Sequence, residues 1–133
     1  MAEATLISKG TIKEGGTLKR YSFSMDNVAV GGVSDFIDLP LDVKRGSLHG
    51  IRVTCGSPNY NISIRQKRAI SVPDVNEIYN MTYIVDFSFR VMGIDQPFVN
   101  SERTAVEKLY VVITNNDLGT ATGTIYLDLF LYE

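Results

Sequence analysis

Residues 124–132 read TIYLDLFLY, and this stretch decides the fold class of the chain. Its isoleucine and leucines occupy every second position, which is the period of a β-strand with one face on a core. The opposite face is also largely apolar, because only Asp128 interrupts Tyr126, Phe130 and Tyr132. A single opposing sheet would cover one face and leave the other wet. The sequence therefore predicts a C-terminal strand whose second face is covered by something else.

The same period recurs along most of the chain. Its clearest instance is Thr82–Val91, which predicts one long strand with Tyr83, Val85, Phe87, Phe89 and Val91 on the core face. Shorter alternating runs lie at residues 5–8, 21–25, 28–30, 33–39, 48–55, 60–66 and 108–114. About eight strands punctuated by Gly, Pro and Asn predict an all-β, single-domain antiparallel β-sandwich. The jelly-roll and immunoglobulin-like strand orders both stay open.

Two connections carry turn or cap signals. Residues 115–123, NNDLGTATG, are rich in residues that tolerate positive φ, and they predict a hairpin between the last two strands. The only helical signal is Asp74–Tyr79, where Asp74 could cap and Glu77 could complete a capping box. At most one short helical turn is expected there.

Composition bounds the class of protein. The chain has 133 residues, 44% of them apolar and 21% charged, which predicts one folded domain over residues 1–133. Residues 1–16 are set apart as an N-terminal arm, either flexible or ordered on assembly. The net charge of −2 gives no positive field for nucleic acid, and the pairs Lys19-Arg20, Lys44-Arg45 and Lys67-Arg68 are scattered. No signal peptide or long apolar run is found, so we expect cytoplasmic synthesis and no membrane partner.

The residues that usually carry chemistry are sparse. His49 is the only histidine and Cys55 the only cysteine, which excludes an internal disulfide and multi-thiolate zinc sites. We expect a structural or exposed role for His49, and burial of Cys55 on the face of Ile51 and Val53. No catalytic residue, cofactor or metal is predicted. An enzyme would require a carboxylate pair from distant strands, which leaves no local signature.

Acidic loops and glycine pairs match no ligand-binding motif. The spacing of the Asp residues differs from that of a calcium loop, so solvated loops and strand edges are expected. The pairs Gly15-Gly16 and Gly31-Gly32 match neither a phosphate loop nor a dinucleotide fingerprint. The Asp residues considered as calcium ligands are Asp26, Asp35, Asp38, Asp42 and Asp117.

The second face of the two C-terminal strands is the candidate interface. Aromatic side chains are enriched in protein interfaces, and an exposed aromatic patch is unusual on a monomer. Two alternatives stay open. Local loops such as Ile78-Tyr79 could cover this face, or it could stack sugars with Asn115, Asn116 and Asp117 as polar partners, as in a carbohydrate-binding module. The candidate interface residues are Tyr110, Val112, Tyr126, Phe130 and Tyr132.

The second half of the chain resembles the small β-sandwich structural proteins of tailed bacteriophages. The resemblance is carried by residues 75–79, 83–91, 96–100, 109–117 and 122–127. It implies a non-enzymatic virion component, such as a capsid decoration, head-fibre or tail protein. It also implies a homo-oligomer, such as a trimer, that docks on capsid or tail proteins and is located in the virion. The resemblance offers no catalytic residue.

Overall fold

Alternating apolar residues form nine β-strands among the described residues. The computed structural model describes residues 4–11, 18–34, 37–40, 45–67, 75–99 and 108–132. None of them forms a helix long and apolar enough to cross a lipid bilayer. The strands are β1 (Thr5–Thr11), β2 (Leu18–Met25), β3 (Ile37–Asp38), β4 (Arg45–Thr54), β5 (Tyr60–Lys67), β6 (Val75–Ile84), β7 (Ser88–Val99), β8 (Lys108–Asn115) and β9 (Ile125–Tyr132).

The strands pair into two antiparallel sheets, which confirms the predicted all-β sandwich. One sheet has five strands in the order β1-β2-β9-β4-β7, and the other has four in the order β3-β8-β5-β6. From β2 onward the strand pairs are nested along the chain: β2 pairs with β9, β3 with β8, β4 with β7 and β5 with β6. This nesting is the jelly-roll order. It replaces the immunoglobulin-like alternative.

The core lies between the two sheets, where the inward-facing residues of each strand meet. Phe23, Ile51 and Leu129 from the five-stranded sheet are fully buried, as are Ile62 and Val111 from the four-stranded sheet. They belong to one continuous hydrophobic cluster, and the alternation in the sequence indicated these faces correctly. Cys55 is buried in the same cluster, as predicted.

The predicted C-terminal hairpin is wrong. β8 pairs with β5 and β3, whereas β9 pairs with β2 and β4, so the two strands belong to different sheets. The Asn- and Gly-rich residues between them cross from one sheet to the other. This crossing uses a positive-φ residue, as a hairpin turn often does, since Gly123 has a φ of 63°.

Two further local predictions are corrected around β6. Residues 75–79, predicted as a helical turn, begin this strand, and Asp74 lies outside the described residues. The long strand predicted over Thr82–Val91 is interrupted, since β6 ends at Ile84 and β7 begins at Ser88 in the other sheet. Tyr83 adopts a positive φ of 54° at this break. The Asp86 carboxylate accepts the Ser88 N–H at 3.5 Å in the turn that follows.

Candidate assembly surface at the loop end

Four connections cross between the sheets at one end of the sandwich. We call residues 26–34, 55–59, 83–87 and 116–124, which are these connections together with the last two residues of β6, the loop end. Strand register places them together, because Met25 lies beside Ile125 and Thr54 lies beside Tyr126. In the other sheet Tyr60 lies beside both Ile84 and Asn115.

Asn115 is the centre of the polar base of the loop end, and its side chain is fully buried. Its Nδ2 donates to the carbonyls of Thr120 at 2.9 Å and Ala29 at 3.2 Å. Its Oδ1 accepts the Ser57 hydroxyl at 2.7 Å and the Asp117 N–H at 3.1 Å. One amide therefore joins three of the four crossing segments.

Thr122 makes a second set of links between the same segments. Its hydroxyl accepts the Val28 N–H at 2.8 Å, and its carbonyl accepts the Gly56 N–H at 2.6 Å. Because Thr122 is buried, these bonds lie away from competing water.

The side chains of Asn116 and Asn61 connect the loop end to β6, the strand that leads into residues 85–87. Nδ2 of Asn116 donates to Oδ1 of Asn61 at 2.7 Å, and that oxygen also accepts the Tyr83 N–H at 2.7 Å. These polar side chains are therefore hydrogen-bonded to backbone and to one another within the loop end and the adjoining strands. Asn115, Asn116 and Asp117, considered as sugar ligands, belong to this base.

Large apolar side chains project from this base into solvent. The β6–β7 corner exposes Tyr83 by 70%, Val85 by 78% and Phe87 by 53%. A second group, Val30, Val33 and Leu118, is exposed by 49%, 63% and 84%. Leu118 lies close to the 26–34 segment, since its Cδ2 is 3.1 Å from the Cβ position of Gly31. Contiguous exposed apolar patches commonly mark protein contacts.

The charge of the loop end is of one sign. Asp26, Asp86 and Asp117 lie in its four segments, which contain no Lys or Arg. The chain as a whole has a net charge of −2, so the residues outside the loop end carry a net charge of +1. The loop end is thus an apolar surface bordered by carboxylates.

The five candidate residues from the sequence do not form one surface. Tyr110 and Val112 lie on the outer face of the four-stranded sheet, and the other three lie on the outer face of the five-stranded sheet. Tyr126 is half exposed, Val112 and Tyr132 are partly buried, and Tyr110 and Phe130 are buried. Burial raises the pKa of Tyr110, and the nearby Asp38 carboxylate raises it further.

His49 lies at a bulge in β4 and contacts two neighbours. Its Nδ1 is 2.6 Å from Oδ1 of Asp95. Its ring packs edge-on against the ring of Tyr132, with the two ring centroids 5.1 Å apart. Among the residues that the structure describes, no three His, Cys, Asp or Glu side chains are grouped to hold a metal ion. Asp35 and Asp42, weighed as calcium ligands, lie outside those residues.

The loop end could not be predicted from the sequence because the apolar residues of its β6–β7 corner keep the two-residue period of a strand. Tyr83, Val85 and Phe87 continue the alternation of Phe89 and Val91 without a break. The one usable signal was Asp86 followed two residues later by Ser88, the spacing of an Asx turn.

Comparison with known proteins adds no relative: the sequence matches no protein-family model, and a search of curated proteins found no match. Function is therefore argued from the fold, the loop end and the resemblance in sequence.

Proposed function

We propose that this chain is a non-enzymatic structural protein of a virus particle, such as a bacteriophage capsid decoration or a head or tail accessory protein. The observation that carries the proposal is the loop end, where six large apolar side chains stand exposed on a hydrogen-bonded base. The resemblance to small phage β-sandwich proteins supplies the biological class. The jelly roll is shared by viral capsid and lectin domains, so it supports this class without selecting it.

The proposed mechanism is association through a surface that is already in its binding shape. Bonds from Asn115 and Thr122 fix the crossing segments before any partner arrives. A preformed surface avoids the entropy cost of ordering loops on binding. Burying the exposed parts of Tyr83 and Phe87 would contribute about 1–2 kcal/mol each. Proposed partners are further copies of the chain and neighbouring capsid or tail proteins.

The loop end replaces the face proposed from sequence, whose five residues are divided between two sheets. No observation favours the carbohydrate-binding alternative, because the Asn115, Asn116 and Asp117 side chains that would contact a sugar already make hydrogen bonds within the chain. On a glycan array the protein is expected to give no saturable binding.

The test is the protein composition of purified particles. Particles made by cells that carry the gene would be banded by density, and this chain would be quantified against the most abundant particle protein by mass spectrometry. A fixed ratio that survives repeated banding is expected. A chain that stays with the soluble cell protein, while the particles band without it, would contradict the proposal.

A further inference from the structure

The carboxylates of the loop end are interleaved with its exposed apolar side chains. Asp86 lies between Val85 and Phe87 in the β6–β7 corner, and Asp117 directly precedes Leu118. Asp86 is itself exposed, like its two neighbours. A partner that covers these apolar side chains therefore comes close to the carboxylates as well.

The negative charges of the loop end are not neutralised by the described part of the chain. Asp86 and Asp117 each accept one backbone N–H of their own turn, at 3.5 and 3.2 Å, and a neutral donor leaves the charge in place. No described Lys, Arg or His side chain lies within ion-pairing distance of Asp26, Asp86 or Asp117. By contrast, Asp128 on β9 pairs with Arg52 at 3.5 Å.

The cost of removing water from an unpaired charge decides which partner suits the loop end. A carboxylate that loses its water without gaining a partner is strongly penalised. An apolar partner would impose this penalty on Asp86, and an acidic partner would add repulsion between like charges. A partner that places Lys or Arg around apolar side chains would cover Val85 and Phe87 and also pair with the carboxylates.

The basic side chains that the structure describes are a poor match for this requirement. Four of them already interact within the chain: Lys9, Lys19, Arg52 and Arg65. Arg20 and Arg90 lie on β2 and β7, with β9 and β4 between them. The described surface thus offers two separated cations for three carboxylates. Another protein is therefore favoured over a second copy of this chain.

We propose that the loop end binds a different protein of the particle, through a surface on which Lys or Arg side chains surround an apolar centre. Phe87 would fill that centre, and Asp86 and Asp117 would pair with the surrounding cations. Two loop ends would not bind each other, because three carboxylates would oppose three more. The proposed contact rests on the proposed function, and it selects the neighbouring particle protein from the two kinds of partner.

Two variants separate the charge of the loop end from its apolar side chains. Asp86→Asn with Asp117→Asn removes two charges and retains an acceptor oxygen for each turn. Phe87→Ser removes an exposed ring. The matched controls are Asp95→Asn, at an exposed carboxylate toward the far end of β7, and Ile7→Ser, at a residue of β1 that is exposed by 53%, as Phe87 is.

The first measurement uses the purified protein and a library of random short peptides made by mRNA display. Peptides that bind the wild type and both controls, but not the loop-end variants, would be sequenced. They should be enriched in Lys and Arg close to large apolar residues. A peptide chosen from them should bind the double Asn variant about tenfold more weakly than the wild type. Its affinity for the wild type should fall as salt increases, because exposed charges are screened.

The second measurement adds purified protein back to particles from cells that lack the gene, with circular dichroism to verify that each variant is folded. The wild type and both controls should bind the particles, and the loop-end variants should bind about tenfold more weakly. Carbodiimide, which joins carboxylates to lysine amines in contact with them, should link the loop end to another particle protein.

Three results would overturn the proposed contact: loop-end-dependent peptides that are acidic or uncharged, a selection that yields no such peptides, or coupling of the loop end only to lysines of this same chain. The last result would make the partner a second copy.

Failure of the contact is distinct from failure of the proposed function. Particles that take up the loop-end variants as readily as the wild type would refute the contact and leave the virion role standing. A wild type that never bands with particles would refute the virion role, while the peptide selection would still decide which chemistry the loop end binds.

Discussion

At the scale of single residues, some buried polar groups are fully hydrogen-bonded and others have no hydrogen-bond partner among the described residues. Both polar atoms of the Asn115 side chain are bonded, whereas the hydroxyl of the fully buried Tyr60 makes no hydrogen bond to the described residues. Burial raises the pKa of Tyr60 well above its usual value, and the Cys55 and Asp86 charges raise it further. An unpaired buried hydroxyl costs stability, so its removal is informative.

Tyr60→Phe is expected to leave the free energy of unfolding unchanged or to raise it by up to about 1 kcal/mol, because the hydroxyl loses no partner. The pH dependence should change as well. Tyr60 ionises in the unfolded chain near its ordinary pKa of about 10 but stays protonated when folded, so wild-type stability falls as pH rises above about 10. Urea unfolding at pH 7 and above pH 10 would show a shallower alkaline loss in the variant.

Asn115→Ala is the opposing control for Tyr60→Phe. It removes the side-chain hydrogen bonds of a fully buried amide to Ser57, Asp117, Ala29 and Thr120, and it should cost about 2–3 kcal/mol at pH 7. Tyr60→Phe costing as much as Asn115→Ala would mean that the Tyr60 hydroxyl is bonded in solution.

At the scale of elements, the close approach of β4 and β7 depends on Gly50. Its Cβ position would lie 2.4 Å from Met92 Sδ and 2.6 Å from the Val91 carbonyl oxygen. The methionine could move, but the carbonyl belongs to the paired strand. Gly50→Ala should therefore destabilise the protein by about 1–3 kcal/mol, measured as a lower urea midpoint.

Gly10→Ala is the matched substitution, since nothing lies within 4 Å of its Cβ position on the edge strand β1. Alanine there should be neutral or slightly stabilising, because glycine loses more conformational entropy on folding. Equal effects of the two alanines would refute the account of Gly50 as a close-contact position.

Element faces were predictable where burial follows a local period, and element ends were not. Ile51, Val53 and Cys55 are buried as the alternation predicts. The same alternation runs through Tyr83 and Val85, yet the chain turns there and exposes both. Period two reports which residues share a face only while the backbone remains extended, and it carries no information on where φ becomes positive.

At the scale of the whole molecule, the strand order could not be predicted from the sequence because strands that are far apart along the chain pair with each other. Leu18 pairs with Tyr132, so β2 and β9, the first and last of the nested strands, lie side by side. The turn signals in residues 115–123 predict a hairpin that places β8 beside β9 and Tyr110 on the same face as Tyr126, whereas these strands lie in different sheets. The two-sided apolarity of β9 was a true signal, since Phe130 is buried on the outer face of its sheet.

The non-local pairing makes β9 the strand that completes the fold. It lies at the centre of the five-stranded sheet, between β2 and β4, and its four core residues are fully buried. These residues are Ile125, Leu127, Leu129 and Leu131. A chain that ends at Gly123 loses these core residues and leaves β2 and β4 each without one of its two neighbours, so its circular dichroism spectrum should be that of an unfolded chain. Unpaired strand edges accept an added strand.

A peptide of residues 124–133 should therefore restore the β spectrum and cooperative unfolding to the truncated chain. The same peptide carrying Leu127→Asp and Leu129→Asp should fail, because it would place carboxylates in the core. Deleting residues 1–11 is the control for loss of a strand: β1 is an edge, and the described part of its surface is mostly exposed, so the remainder should still unfold cooperatively. Cooperative unfolding of the chain that ends at Gly123 would show that the two sheets hold together without their central strand.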